Sequence, residues 1–108
     1  MTTAMKSLLE SWSQGVAVPR MAPGLKATLS PTAMEKPLRE RTAQWLAKAR
    51  AFTYLAADDV AGRGLERRGQ SVSRILYYGL RSDEGDLLYR FFLNAQGDVA
   101  DFALEVVE

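Results

Sequence analysis

The chain has 108 residues, a formal net charge of +1, and neither cysteine nor histidine. This length suits one domain with one hydrophobic core, which can fold without disulfides or a structural metal. Without Cys and His, the chain cannot build a zinc finger, a thiol nucleophile, a Ser-His-Asp triad or an imidazole-held haem from its own side chains. Because the charges balance, no long-range field attracts nucleic acid or an anionic membrane. We therefore expect no metal, no cofactor, and neither a nucleic-acid nor a membrane partner.

Hydropathy predicts a soluble chain, since no apolar run approaches the roughly 20 residues that a bilayer requires. Lys6 and Glu10 interrupt the N-terminal stretch where a signal peptide would carry its apolar region. No signal peptide or transmembrane segment is therefore expected, and the compartment stays open.

Residues 1–50 are predicted to form a helical half. The first helix is indicated by apolar residues at spacings of three and four, namely Met5, Leu8, Leu9, Trp12 and Val16. Thr2 or Thr3 is its expected N-cap, and Gly15 its expected end. Four prolines and glycines interrupt the following stretch, so residues 16–34 are predicted to be an ordered surface connection.

A second helix is predicted to begin near Glu35 or Pro37, because proline fits the first turn of a helix. Its apolar stripe would comprise Leu38, Trp45, Leu46 and Ala49. Arg39 is expected on the solvent side.

After residue 50 the apolar period changes from about 3.6 to 2, which predicts an antiparallel meander over residues 51–108. Four strands are expected, at residues 52–57, 72–81, 87–93 and 99–107. The glycine-punctuated segment 62–69 fits an edge strand with bulges and a loop equally well. The predicted fold class is α+β, with helices packed on one face of a curled four-stranded sheet.

Turn lengths predict the strand registers. The turn at residues 82–85 sets Leu80, Tyr78 and Leu76 opposite Leu87, Tyr89 and Phe91, and Arg81 opposite Asp86. A four-residue turn after Leu93 would set Leu87, Tyr89 and Phe91 opposite Leu104, Phe102 and Ala100, and Arg90 opposite Asp101.

These registers give the sheet two different faces. The helix-facing side would carry the residues of a candidate ligand cavity for a small apolar molecule: Trp45, Tyr78, Tyr89 and Phe91. The simpler interpretation is that these rings fill the space between helix and sheet. The outer face would carry a candidate interface for a protein partner or a homodimer: Ile75, Tyr77, Leu88, Arg90, Phe92 and Asp101. The simpler interpretation there is a solvated surface with arginine stems lying over the rings.

Residues 88–102 read LYRFFLNAQGDVADF, which resembles the final hairpin of cystatin-like and ketosteroid-isomerase-like α+β domains, the nuclear-transport-factor type. The resemblance covers roughly residues 38–108. The pieces Phe52-Thr53-Tyr54-Leu55 and Arg74-Ile75-Leu76-Tyr77-Tyr78 are similar to strands of small domains that follow serine hydrolases of the penicillin-binding and lactamase type. That likeness implies an accessory module without catalytic residues of its own.

Enzymes of this superfamily use an Asp or His base between helices and sheet, and this chain departs from that pattern. It has no His, and no acidic residue falls beside Tyr78 and Tyr89 on the helix-facing side of the predicted strands. Asp58 and Asp59, an adjacent acidic pair, are interpreted as a strand-ending turn. No catalytic residue is therefore predicted.

The leading hypothesis is a non-catalytic accessory, protein-interaction or dimerisation domain. The alternatives are a small-molecule binding protein or minimal isomerase or cyclase that uses the helix-sheet cavity, and a structural domain that stabilises a neighbouring catalytic chain.

Overall fold

The computed structural model describes residues 1–107 and has the α+β architecture predicted from the sequence. The helices are α1 (Thr2–Ser13), α2 (Pro23–Lys26) and α3 (Lys36–Ala47), with a 3-10 turn at Ala27–Leu29. The strands are β1 (Ala49–Asp59), β2 (Glu66–Arg67), β3 (Gln70–Ser71), β4 (Arg74–Ser82), β5 (Gly85–Leu93) and β6 (Val99–Val107). Four of them form an antiparallel sheet in the order β1-β4-β5-β6, and β2 and β3 form a separate hairpin.

Helix α1 forms where the apolar spacing predicts it and buries Met5, Leu8, Leu9 and Trp12. It ends before Gly15, whose φ of 77° is a conformation that glycine adopts without steric cost. The predicted N-cap is wrong: Met1 is the N-cap, and no side chain caps the helix. Because the amide of Met5 donates to the carbonyl of Met1, Thr2 already lies inside the first turn.

The segment at 16–34 is more than a surface connection, because it contains α2 and the 3-10 turn and contributes to the core. Met21 and Leu25 are buried. Pro23 starts α2, as its fixed φ allows. Trp12 Nε1 donates to the Thr28 hydroxyl at 2.7 Å, so this segment also provides the partner that a buried indole requires.

Helix α3 has Pro37 in its first turn, and Trp45 and Leu46 pack against the core, as predicted, but the first half of the helix turns a different face inward. Leu38 is exposed, whereas Arg39 and Thr42 are buried. The Arg39 guanidinium donates to the Thr28 carbonyl at 2.5 Å, which gives the charged group a partner inside the protein. The sequence pattern missed this orientation because two polar residues occupy the buried stripe.

The β4-β5 register is the predicted one, with Tyr78 opposite Tyr89 and Arg81 opposite Asp86. The β5-β6 register is shifted by two residues from the prediction: Phe91 lies opposite Phe102, and Phe92, not Arg90, lies opposite Asp101. A five-residue turn and a bulge next to Leu93 cause the shift. Since the shift is an even number of residues, the same side chains still face the helices.

The core lies between the helices and the inner face of the sheet. Residues from α1, α2 and four strands pack there around a cluster of rings that includes Trp12, Tyr78, Tyr89, Phe91 and Phe102. The outer face of the sheet carries a second, smaller core under the β2-β3 hairpin.

Candidate functional site

The segment 62–69, predicted as an edge strand or a loop, holds strand β2 and the hairpin turn, and folds with β3 as a hairpin over the outer face of the sheet. Its two-residue turn, Arg68-Gly69, has positive φ at both positions (49° and 76°), as a type I′ turn requires. Beneath the hairpin lies a buried apolar cluster of Val60, Val72, Ile75 and Phe92. We call this part of the outer face the covered half.

Two arginines of the hairpin bind one buried carboxylate. Arg67 Nε donates to Asp101 Oδ2 and Arg68 Nε donates to Asp101 Oδ1, each at 2.9 Å. The Asp101 side chain is only 8% exposed, whereas the arginine side chains are more than a third exposed. The Arg67 guanidinium also lies 4.3 Å from the ring centroid of Phe92. These contacts join the hairpin to β5 and β6.

Three of the six predicted interface residues lie in the covered half and are not on an open surface. Ile75, Phe92 and Asp101 are buried under the chain's own hairpin. These three residues are therefore part of the chain's own packing, which corrects the expectation that they lie on an exposed interface. Tyr77, Leu88 and Arg90, the other three, are partly exposed.

Tyr77 and Arg90 belong to a polar row that crosses the sheet from β1 to β6. The Tyr77 hydroxyl donates to Asp58 Oδ2 at 2.7 Å, and the Arg90 guanidinium donates to Glu105 Oε1 at 2.6 Å. The Asp58 carboxylate raises the pKa of Tyr77, because it accepts the hydrogen bond of the protonated form. This row separates the covered half from the rest of the outer face.

The remaining part of the outer face holds an open cavity of about 380 Å³. Strands β1, β4, β5 and the end of β6 build its wall, which is mostly apolar, and the ion pair of Arg81 and Asp86 also lines it. We call the following part of this wall the outer groove: Thr53, Leu55, Gly79, Leu88 and Val107. Leu55 lies over Gly79, where a Cβ would meet Leu55 Cδ1 at 3.5 Å. Leu55 is 55% exposed and Val107 is 48% exposed.

Of the outer groove, sequence reasoning named only Leu88. Leu55 was missed because sequence reasoning assigned no faces to β1: Phe52 and Tyr54 face the core, so alternation alone places Leu55 on the outer face. One signal was present in the sequence: a glycine inside a strand, here Gly79, marks a place where another group approaches the backbone closely.

The predicted ligand-cavity residues come together as part of the packed core. Tyr78, Tyr89 and Phe91 are fully buried, and Trp45 packs at the margin of the same cluster. Tyr78 and Tyr89 each contact Phe91, with ring centroids 5.6 and 6.1 Å apart. Tyr78 lines an open surface cavity beside Met1 and Tyr54, whereas Trp45, Tyr89 and Phe91 line neither that cavity nor the cavity on the outer face.

Among residues 1–107, the buried hydroxyls of Thr42, Tyr78 and Tyr89 make no hydrogen bond of ordinary length. Burial raises the pKa of Tyr89 to about 12, and the neighbouring Thr42 hydroxyl opposes the rise only in part. A buried hydroxyl without a hydrogen-bond partner lowers the stability of the fold by about 1–3 kcal/mol. A polar group that formed a hydrogen bond with one of these hydroxyls would therefore stabilise the protein.

The acidic pair ends β1, as its interpretation as a turn predicts. The amide of Ala61 donates to Asp59 Oδ1 at 3.1 Å, which folds the chain after the strand. In the part of the chain that the structure describes, no group of three or more acidic side chains is placed to hold a metal ion. No helix between residues 1 and 107 is long and apolar enough to cross a membrane.

No protein-family model matches the chain, and neither curated proteins nor solved structures give a significant match.

Proposed function

We propose that this chain is a non-catalytic protein-interaction domain that binds a partner protein through the outer groove. The observation that carries the proposal is the division of the outer face. The covered half is filled by the chain's own hairpin, while the outer groove leaves Leu55, Leu88 and Val107 accessible beside an apolar cavity of about 380 Å³. Contiguous exposed apolar side chains on a sheet face are typical of protein-interaction sites.

The state of the buried carboxylate supports a role without catalysis. Asp101 is the one buried acidic side chain among residues 1–107, and two arginines bind it. A general base must be free to accept a proton from a substrate, whereas Asp101 is fully engaged in ion pairs. The proposal keeps the cystatin-like fold and the accessory role that the sequence resemblance implies.

The test is site-specific photo-crosslinking in living cells. A photoreactive amino acid replaces Leu88 in the outer groove, and in a matched control it replaces Lys6, which is exposed on α1. We expect one defined adduct from position 88 and none from position 6, and the adduct mass identifies a foreign partner or a second copy. Equal crosslinking at the two positions, or none at either, would contradict the proposal.

The unpartnered hydroxyls favour a second candidate function, the binding of a small molecule between α3 and the sheet. Such a ligand would be mostly apolar, to match the rings around it, and would carry one polar group for Thr42 and Tyr89. Native mass spectrometry of the purified protein tests this directly. A bound small molecule in the wild type that is absent from Tyr89→Phe supports the candidate, and an unliganded wild-type mass contradicts it.

A further inference from the structure

Strand β1 lies at an open edge of the sheet. Within residues 1–107 it pairs only with β4, and no backbone hydrogen bond covers its other side. The opposite edge is protected at its start, because the Val99 carbonyl accepts from the Ala22 amide and the Val99 amide donates to the Arg20 carbonyl. The two edges of the sheet therefore differ in their capacity to accept another strand.

The residues of β1 do little to prevent pairing. Natural edge strands are usually short, or carry lysine, proline or inward-pointing charges. β1 has 11 residues, and its stretch 51–57 contains neither a charge nor a proline. Tyr54 and Leu55 in that stretch are about half exposed. β1 does contain two register shifts, near Arg50 and Leu55, and such bulges are one way in which natural edge strands are twisted away from a partner. The stretch 51–54 between them pairs regularly with β4, and within residues 1–107 no backbone hydrogen bond covers its free side.

The charges of β1 are arranged so that the strand is complementary to itself. Arg50 lies near its beginning, and Asp58 and Asp59 lie at its end. When two copies of β1 run antiparallel about a twofold axis at Tyr54, Arg50 of each copy lies beside the acidic pair of the other. A parallel arrangement would instead bring like charges together, which disfavours it.

Within one chain, the partner of Arg50 is held only weakly. Its guanidinium lies 2.9 Å from Asp83 Oδ1, but both side chains are more than two-thirds exposed. Exposed ion pairs contribute little to stability, so Arg50 can exchange this partner at small cost.

From these observations we infer that the protein forms a homodimer by antiparallel pairing of β1 with β1 of a second copy. The pairing joins the two four-stranded sheets into one continuous sheet of eight strands. It goes beyond the proposed function, because it uses the backbone edge of β1 and leaves the outer groove open for a partner protein. Either proposal can therefore fail while the other holds.

Sedimentation velocity across the micromolar range tests the dimer and the role of its charges. We expect a wild-type dimer whose dissociation constant rises about tenfold in Arg50→Asp and in Asp58→Arg, since each change sets like charges across the interface. The double variant, which restores opposite charges, should return to near the wild-type value. Arg63→Asp, which changes an exposed arginine outside β1, is the matched control and should have no effect.

A cysteine crosslink tests the register independently, and the chain has no other cysteine to interfere. Tyr54→Cys should oxidise to a disulfide-linked dimer, whereas Val106→Cys, exposed on β6, should not. A wild-type monomer throughout the concentration range overturns the inference. So does a dimer that ignores both charge reversals and crosslinks at position 106 instead of position 54. The crosslink at Leu88 reports on the outer groove separately and is unaffected by either result.

Discussion

Arg67 holds Phe92 beneath it: the guanidinium of the arginine lies 4.3 Å from the centroid of the phenylalanine ring and donates to Asp101 next to it. A cation over an aromatic face is attracted by the ring, and more so when water is excluded. This contact closes the covered half of the outer face. It explains why an aromatic residue that alternation assigns to the outer face is nevertheless part of a core.

Substitution of Phe92 is therefore expected to destabilise the protein. Phe92→Ala removes a buried ring from the cluster under the hairpin, and such changes cost about 3–5 kcal/mol in the free energy of unfolding. Urea denaturation followed by circular dichroism measures the loss. Leu88→Ala, at a partly exposed position of the same strand, is the control and should cost about 1 kcal/mol or less. Equal losses in the two variants would show that the hairpin does not cover Phe92 in solution.

The alternation of apolar residues in the strands could be predicted from the sequence, but the hairpin that covers Phe92 of β5 could not. The β4-β5 register could be predicted because the turn between these strands is short. The hairpin that covers Phe92 could not, because each of its strands has two residues and its turn places Arg68 at a φ of 49°. Asn or Asp is the usual residue at such a position, so an arginine gives no local signal for this turn.

The orientation of α3, like the hairpin, could not be predicted from the sequence. The apolar residues of α3 predicted its existence correctly, but its buried stripe includes Arg39 and Thr42. Arg39 is buried because its guanidinium finds the Thr28 carbonyl, a partner eleven residues earlier in the chain. Hydropathy cannot predict such a tertiary contact, and for this reason the orientation of α3 and the unpartnered Thr42 hydroxyl were both missed.

The Asp101 ion pairs predict that removing the two arginines destabilises the protein more than removing the carboxylate does. Replacing Arg67 and Arg68 together by alanine leaves the buried Asp101 carboxylate without a partner, which we expect to cost about 3–5 kcal/mol. Asp101→Asn leaves two arginines that are partly exposed and can turn toward solvent, so its cost should be smaller, about 1–3 kcal/mol. Urea denaturation of both variants and of the triple variant measures these losses. Costs that simply add in the triple variant would show that the two sides do not interact.

Gly24 of α2 lies in close contact with the hairpin turn, so we expect it to tolerate substitution by alanine less well than Gly79 does. A Cβ on Gly24 would lie 2.6 Å from the carbonyl oxygen of Arg68, a backbone atom that cannot move alone, whereas a Cβ on Gly79 would meet only the flexible end of Leu55 at 3.5 Å. We expect Gly24→Ala to lower the free energy of unfolding by about 1–3 kcal/mol. Gly79→Ala, the matched control, should be nearly neutral. Thermal denaturation of the two variants compares them, and a neutral Gly24→Ala would mean that the hairpin turn does not pack on α2.

The buried Tyr89 hydroxyl predicts how stability responds to alkaline pH. Burial raises its pKa from 10.0 to about 12 in the folded protein, while in the unfolded chain it ionises near the ordinary value. Between these two values the unfolded state has lost a proton that the folded state still holds, so the free energy of unfolding falls as pH rises. The fall due to this one group should approach about 2–3 kcal/mol by the upper end of that range.

The difference between wild type and Tyr89→Phe isolates this effect, because the variant has no proton to lose at that position. Below pH 10 we expect Tyr89→Phe to be as stable as the wild type or about 1 kcal/mol more stable, since it removes a hydroxyl that lacks a partner. At higher pH its advantage should widen steadily. Urea denaturation at a series of pH values measures the curve. A variant less stable than the wild type at neutral pH would show instead that the Tyr89 hydroxyl has a hydrogen-bond partner in solution, either the neighbouring Thr42 hydroxyl or a bound molecule.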